Sequence, residues 1–379
     1  MSFIRNELER NNLEKLSKAV SDFSSRANQL DETRDFPFEN IKELKKIGYT
    51  KLTLPKEFGG GGKGLYEFIL CQEKIAEHCG PTALSIGWHV GNVLQMQDGK
   101  RGWNIDVLHE TFEKINNGAL VNRAASEPQT GSPTRGGKPT TTAVKTNGKW
   151  VINGRKNYTS MAPVLDLFIV SAWIVEESKV GWFLIDRDTP GLSIEKTWDV
   201  MSMQGTASED LLLENVSIDE KYLVEYASSG FDTSSLLHIP ACYLGIASAA
   251  RNYAVDFAKN HSPNSISGTI SELPNVRNKI GEMEIELLQS RYFLYGVAAK
   301  CEAQPELQQE LQPQLAAVKK AVTNSAISIV DQSMRVVGAV SLQRSNPLQR
   351  YYRDVRSGLH NPPMDDATIN LLAQYAIEK

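Results

Sequence analysis

The sequence predicts an α+β fold in which one β segment separates two helical segments. Apolar residues recur at helical spacing up to about residue 120 and again from about residue 227. Between these limits, short runs rich in β-branched and aromatic residues alternate with turn signals. These changes divide the 379 residues into an all-α domain (1–120), a β domain (121–226) and a second helical domain (227–379).

The first domain is predicted to be helical because its apolar residues fall on helix faces. The stretch NLEKLSKAVSDFSSRANQL places apolar residues from Leu13 to Phe23 on one face. A second amphipathic helix, GLYEFILCQEKIAEHCG, is expected to end at Gly80 and Pro81. The segment LPKEFGGGGKG is predicted to be a flexible connection, since it lacks the strand and the lysine spacing of a phosphate-binding loop.

The second domain is predicted to be an antiparallel sheet. Asn147-Gly148, in TTAVKTNGKWVINGRKNYTS, is a strong hairpin signal. Further strands are expected in LFIVSAWIV, GWFLIDRDTPGLSI and SEDLLLENVSI, and their short connections favour antiparallel pairing. The third domain is predicted to consist of long amphipathic helices, with Pro240 in the first turn of one and a final helix from about Met364.

Composition argues against several classes of function. The net charge of −4 gives no electrostatic grip on nucleic acid or on an anionic membrane, and no apolar run is long enough to cross a bilayer. The four cysteines form no CxxC pair and no metal-ligand pattern. We therefore expect buried, reduced thiols, no metal site and a cytoplasmic location.

Four motifs, in order along almost the whole chain, resemble one family. They are ASEPQTGSP, VINGRKNYTSMAP, TPGLSIEKTWDVMSMQGTASEDLLLENVSI and QRYYRDVR. Together they resemble the acyl-CoA dehydrogenase superfamily of flavoproteins. The resemblance implies a middle antiparallel β-barrel domain, a C-terminal four-helix bundle, a homotetramer, and FAD (alternatively FMN) held where the domains meet. We expect Arg350, Arg353 and Asp354 to lock the last helix onto the bundle rather than to take part in chemistry.

The resemblance also assigns residues to the flavin. Hydroxyl groups and an aromatic wall suit the hydrogen-bonding and apolar edges of an isoalloxazine ring. The residues that match the family's flavin contacts are Ser126, Ser132, Tyr158, Thr159, Ser160 and Thr368. Ser132 also matches a substrate contact. The alternative is that these hydroxyls only bond to nearby backbone in turns.

The C-terminal stretch YYRDVRSGLHNPPMDDATINLL leaves two reactions open, of which dehydrogenation is favoured. In the acyl-CoA dehydrogenases, the carboxylate of a Glu-Gly-Thr motif removes the α-proton of an acyl thioester while the β-hydride passes to flavin N5. Asp366 takes that place here, although its side chain is one methylene shorter and follows additional residues. An electron-transfer flavoprotein would then accept the electrons. Alternatively, Asp365 and Asp366 only stabilise the start of the last helix.

The second reaction is oxygenation of a small sulfur-containing or aromatic compound. VRSGLHNPP resembles a segment of the superfamily's two-component monooxygenases, which take reduced flavin from a flavin reductase. Those enzymes use histidines, whose ordinary pKa lies near neutrality, to exchange protons with a peroxyflavin. His360 matches one of these histidines, and His89 is a candidate for a second and for a substrate contact. The alternatives are a core histidine beside Trp88 and a loop histidine bonded to backbone.

Overall fold

Helices occupy both ends of the chain and strands occupy its middle, which confirms the predicted α+β order. The computed structural model describes residues 3–97, 102–130, 137–227, 235–307 and 310–378. The first helical region contains α1 (Glu7–Val20), α2 (Phe23–Thr33), α3 (Phe38–Lys46), α4 (Leu65–His78), α5 (Gly80–Met96) and α6 (Ile105–Asn116). The last contains α7 (His238–Asn260), α8 (Pro274–Ala303), α9 (Gln312–Val337), α10 (Pro347–Asp354) and α11 (Asp365–Ile377).

The middle region is one open, mixed sheet. Its strands are β1 (Val121–Ala124), β2 (Thr142–Thr146), β3 (Lys149–Thr159), β4 (Leu167–Ile174), β5 (Lys179–Asp186), β6 (Leu192–Glu195), β7 (Glu209–Asp219) and β8 (Leu223–Tyr226). They follow the order β6-β7-β3-β2-β4-β5-β8, with β1 beside β4. In the described part of the chain, the end strands β6 and β8 do not pair with each other, so the predicted closure into a barrel is wrong.

The prediction of a purely antiparallel sheet is also wrong, because β1 and β2 both run parallel to β4. The argument from short connections holds for consecutive strands, since β2 pairs antiparallel with β3 and β4 with β5. It does not apply to strands that become neighbours from distant parts of the sequence. The hairpin signal is confirmed: Asn147 and Gly148 have φ values of 51° and 74°, as a two-residue turn between β2 and β3 requires.

Two local predictions in the first domain are corrected. Gly80 opens α5 instead of ending α4, because Pro81 suits the first turn of a helix. The glycine segment is held in place, since the backbone N–H groups of Gly60 and Gly62 donate to the carbonyls of Pro55 and Leu54. A Cβ at Gly60 would lie 2.0 Å from the Leu54 carbonyl oxygen, so close backbone approach explains the glycine.

The helices at the two ends of the chain pack against each other. In the C-terminal domain, α9 contacts α7, α8 and α11, which gives the predicted four-helix bundle. The first domain joins this bundle through α4 and α5, which contact α7. A buried polar network reinforces the contact: Glu73 on α4 accepts hydrogen bonds from Arg291 at 2.7 Å and from Tyr295, both on α8. We keep 1–120, 121–226 and 227–379 as our proposed division into domains.

Candidate active site

A chain of hydrogen bonds runs from the end of β3 to the C-terminal domain. Ser160 Oγ lies 2.8 Å from Ser208 Oγ, which lies 2.9 Å from Thr206 Oγ1. Thr206 Oγ1 donates to the carbonyl of Met203 at 3.0 Å. The Met203 N–H donates to the Asp354 carboxylate at 2.7 Å. The segment expected to meet the flavin is therefore tied to the Arg-Asp motif of the third domain.

The first two motifs of the β domain lie side by side. The backbone N–H of Asn157 donates to the carbonyl of Ser126 at 2.9 Å. The side-chain amide of Asn122, on β1, donates to the carbonyl of Ser160 at 3.0 Å. The structure thus brings Ser126 to the segment 157–160, whereas Ser132 lies outside the described residues.

A buried ion pair, which the sequence analysis missed, fixes these two motifs together. Lys156 Nζ lies 2.6 Å from Glu127 Oε1, and the two side chains are 0% and 1% exposed. Glu127 also accepts hydrogen bonds from the backbone N–H groups of Thr140 and Thr141. Burial lowers the pKa of Lys156 to about 8. Burial alone would raise the pKa of Glu127, but hydrogen bonds from Lys156 and Thr140 outweigh it and lower that pKa to about 2.

Tyr158 and Thr159 face opposite ways at the end of β3. Tyr158 is 62% exposed and has a left-handed backbone (φ 57°), which is uncommon for a bulky side chain and recurs at functional sites. Its ring meets that of Trp198 edge-on, with centroids 6.0 Å apart. Thr159 is fully buried, and its hydroxyl has no hydrogen-bond partner among the described residues.

Buried hydroxyl groups without hydrogen-bond partners show whether these residues could bind a flavin. Besides Thr159, Thr368 on the first turn of α11 is fully buried, and its Oγ1 also has no partner in the described ranges. Leaving a buried polar group unsatisfied costs about 1–3 kcal/mol. A ring edge and a polyol chain rich in hydrogen-bonding groups would satisfy such hydroxyls. The residues present therefore fit a flavin.

The two candidate proton-handling groups of the C-terminal stretch lie at its surface. His360 is exposed and follows a 3-10 helix that ends at Leu359. Asp366 is exposed in the first turn of α11, and its Oδ1 accepts the neighbouring Ala367 N–H at 2.9 Å. The N-cap position belongs to Met364, so the aspartates favour the helix through its dipole rather than as N-caps.

His89 lies elsewhere, in a fully buried contact between domains. Its Nε2 lies 2.9 Å from the carbonyl of Thr50, and its Nδ1 accepts the Val121 N–H at 3.1 Å. This pattern requires the proton on Nε2. Burial lowers the pKa of His89 to about 4, so the ring is neutral at neutral pH. Both ring nitrogens serve backbone groups, as the core-histidine alternative expects, while Trp88 packs against His238 instead.

The Arg-Asp motif joins domains: among the described residues, its side chains bond to α2 and to the β domain and not to α11. Arg353 binds Asp31 on α2 and donates to the carbonyl of Met201 at 2.8 Å. Arg350 donates to the side chain of Asn28, also on α2. Burial raises the pKa of Asp354, the acceptor of the Met203 N–H, to about 6. The expectation that these residues lock the last helix is therefore corrected: they attach α10 to α2 and to the β domain.

Three wider properties complete the description. The described side chains form no cluster of histidine, cysteine and carboxylate groups that could hold a metal ion. Within the described ranges, no helix has both the length and the apolar character that crossing a membrane requires. The four cysteines are buried and unpaired.

Comparison with known proteins identifies one family along the chain. Residues 10–98, 122–216 and 237–361 match the N-terminal, middle and C-terminal domain models of acyl-CoA dehydrogenase. Over 379 residues, 99% of each chain, the sequence is 50% identical to "Putative acyl-CoA dehydrogenase YdbM" of Bacillus subtilis (strain 168). Such coverage at this identity establishes common descent over the whole length.

Solved structures share the fold. Butyryl-CoA dehydrogenase from Megasphaera elsdenii matches with a TM-score of 0.89 at 18% identity, over 100% of each chain. FMN-bound TdsC from Paenibacillus sp. A11-2 matches with a TM-score of 0.86 at 20% identity, over 97% of each chain. Likeness at these identities shows the fold alone.

Proposed function

Because this chain belongs to the acyl-CoA dehydrogenase superfamily, and is thus a flavoprotein oxidoreductase, we propose that it dehydrogenates an acyl-CoA-like thioester. A double bond forms between the α- and β-carbons as both lose a hydrogen. Asp366 takes the α-proton. The bound flavin, FAD or alternatively FMN, supplies the acceptor for the β-hydride.

The observation that carries the proposal is the contrast between Asp366 and His89. Within the described residues, the Asp366 carboxylate is exposed and bonds only to its neighbour's N–H, so it is free to take a proton. It lies two residues before Thr368, whose buried hydroxyl has no hydrogen-bond partner among the described residues. His89 has both ring nitrogens occupied and a pKa of about 4, so we propose a structural role for it.

The cofactor is proposed to contact both sides of the domain junction. On the β domain, the proposed contacts are Ser126, Ser132, Tyr158, Thr159 and Ser160, and on α11 the contact is Thr368. Thr159 and Thr368 are the best supported, because each offers a buried hydroxyl without a partner among the described residues. Ser132, which is also proposed to contact the substrate, rests on the sequence motif alone.

The proposed partners follow from the reaction and from one exposed surface. A dehydrogenase needs an electron acceptor, and we propose an electron-transfer flavoprotein. On α8, Ile285 and Leu288 lie about one turn apart and are 56% and 43% exposed. We propose that another copy of the chain covers this apolar surface in a homotetramer. The cytoplasmic location stays a proposal from the sequence.

A second candidate is oxygenation with reduced flavin, because His360 lies exposed on the same C-terminal stretch as Asp366. One experiment separates the two reactions. The flavin-loaded protein is mixed anaerobically with a panel of acyl-CoAs while the absorbance of oxidised flavin is followed, and the thioester is analysed for an α,β-double bond. Bleaching with an enoyl product supports dehydrogenation. No bleaching, together with an oxygenated product formed from reduced flavin and oxygen and lost in His360→Ala, supports the second candidate.

A further inference from the structure

A buried lysine without a hydrogen bond lies behind the start of α11. Lys319, on α9, is 2% exposed, and its Nζ has no acceptor within hydrogen-bond reach among the described residues. The charge it faces is Asp365, the first residue of α11: Nζ and Oδ1 are 3.9 Å apart. That separation is too long for a hydrogen bond and short enough for strong attraction away from water.

The rest of Asp365 is held from the same helix. Its second oxygen accepts a hydrogen bond at 2.8 Å from the side-chain amide of Asn324, which lies on α9 as well. Asp365 therefore meets α9 at two points, one neutral and one charged. Successive residues of an α-helix are about 100° apart around its axis. Holding Asp365 against α9 thus sets the rotation of the first turn and turns Asp366 away from α9.

We propose that Lys319 is a positioning residue for Asp366: its buried charge holds Asp365 against α9, so that the next carboxylate points away into the site. This inference rests on the proposed function of Asp366 as the base. It assigns Lys319 no contact with substrate or flavin.

Stability alone gives no reason for the lysine. A buried ammonium group that makes no hydrogen bond is costly, and burial lowers the pKa of Lys319 to about 8. The positive end of the α11 dipole also disfavours a cation at this place. Replacing the lysine by methionine removes this buried charge, and the Asp365 carboxylate left behind is 29% exposed to water and still bonded to Asn324. A role in positioning Asp366 explains why a charge that does not stabilise the fold is present at this place.

The test compares Lys319→Met and Asp365→Asn with Lys320→Met, the neighbouring lysine on the same helix, as the matched control. Hydrogen exchange of a peptide covering residues 360–372 reports on the first turn of α11 without any catalysis. For Lys319→Met we expect about tenfold faster exchange there and about tenfold slower flavin reduction by an acyl-CoA. The Kd for flavin should equal that of the wild type, the Tm should not fall below the wild-type value, and Lys320→Met should behave as wild type in every measurement.

The outcomes separate this inference from the proposed function. If hydrogen exchange in Lys319→Met is as slow as in the wild type, the inference is overturned whatever the rate of flavin reduction. The inference is also overturned if exchange is faster but flavin is reduced at the wild-type rate. If no acyl-CoA reduces the wild-type flavin, the proposed function fails, while the exchange rates still decide whether Lys319 holds Asp365. Should Lys319→Met not fold, Asp365→Asn probes the same contact from the other side: exchange and reduction rates equal to wild type would overturn it.

Discussion

Removing the charge of Glu127 should destabilise the protein strongly. In Glu127→Gln, the charge of Lys156 stays fully buried but loses its counter-charge, and the partners left in reach are a neutral amide oxygen and the hydroxyl of Ser171, at 3.0 Å. The amide nitrogen would also replace one of the two carboxylate oxygens, so either the Thr140 N–H or the Lys156 ammonium would lose its acceptor. Breaking a buried pair by removing one partner typically costs about 3–5 kcal/mol.

That cost can be expressed as a change in Tm. The entropy of unfolding is about 2.1 cal/mol/K per residue, summed here over 379 residues that unfold cooperatively. Dividing the lost free energy by this entropy gives a fall in Tm of roughly 4–6 °C. The assay is differential scanning calorimetry at neutral pH. Glu127→Gln/Lys156→Met should recover most of the loss, because no buried charge is then left alone.

The chain supplies a matched control for burial. Lys145 and Glu220 are also 2.6 Å apart, but their side chains are 47% and 43% exposed. Glu220→Gln should cost less than about 1 kcal/mol, since water already stabilises both charges. If Glu127→Gln lowered Tm no more than Glu220→Gln, or if the double variant were as unstable as the single one, the reasoning about burial would be refuted.

Three further predictions follow from other parts of the molecule. Thr159→Val should weaken flavin binding about tenfold in a fluorescence titration without lowering Tm, because it removes a buried hydroxyl that has no partner among the described residues and that we propose the flavin satisfies. An unchanged Kd would contradict that contact. The pKa of His89 is about 4 in the folded protein against 6.5 in the unfolded chain, so the unfolded state binds a proton first as the pH falls. The free energy of unfolding should therefore fall by about 3 kcal/mol from pH 6.5 to pH 4. Denaturant titrations over this range should show a weaker dependence of that free energy on pH in His89→Gln. Leu288→Glu should dissociate the proposed tetramer in sedimentation velocity, whereas Leu8→Glu, at a leucine on α1 that is 61% exposed against 43% for Leu288, should not. Equal effects would argue against the α8 surface.

The sequence predicted the order of domains because that order depends on local patterns. Helical spacing and the Asn147-Gly148 turn act within a few residues, and both were read correctly. The mixed pairing around β4 was missed, because β1 and β2 reach β4 from distant parts of the chain. Short connections therefore carry no information about that pairing.

The site was less predictable than the fold for the same reason. The resemblance named the hydroxyl residues of the β domain, but the pairing of Glu127 with Lys156 requires the segment after β1 to meet β3. A glutamate within the first motif and a lysine within the second were the available signals. Nothing local distinguishes His89 from a catalytic histidine, since its backbone partners at Thr50 and Val121 lie far from it in sequence. Likewise, the link between Lys319 and Asp365 exists only once α9 and α11 pack together.

The most consequential proposal is that Asp366 removes the α-proton of a thioester. Its most direct test is the rate of anaerobic flavin bleaching by an acyl-CoA in Asp366→Asn, with His360→Ala as the parallel variant and the flavin content of both matched to wild type. The rate of bleaching should fall by at least about a hundredfold in Asp366→Asn and stay near the wild-type rate in His360→Ala. A wild-type rate in Asp366→Asn, or a loss of bleaching in His360→Ala instead, would show that Asp366 is not the base.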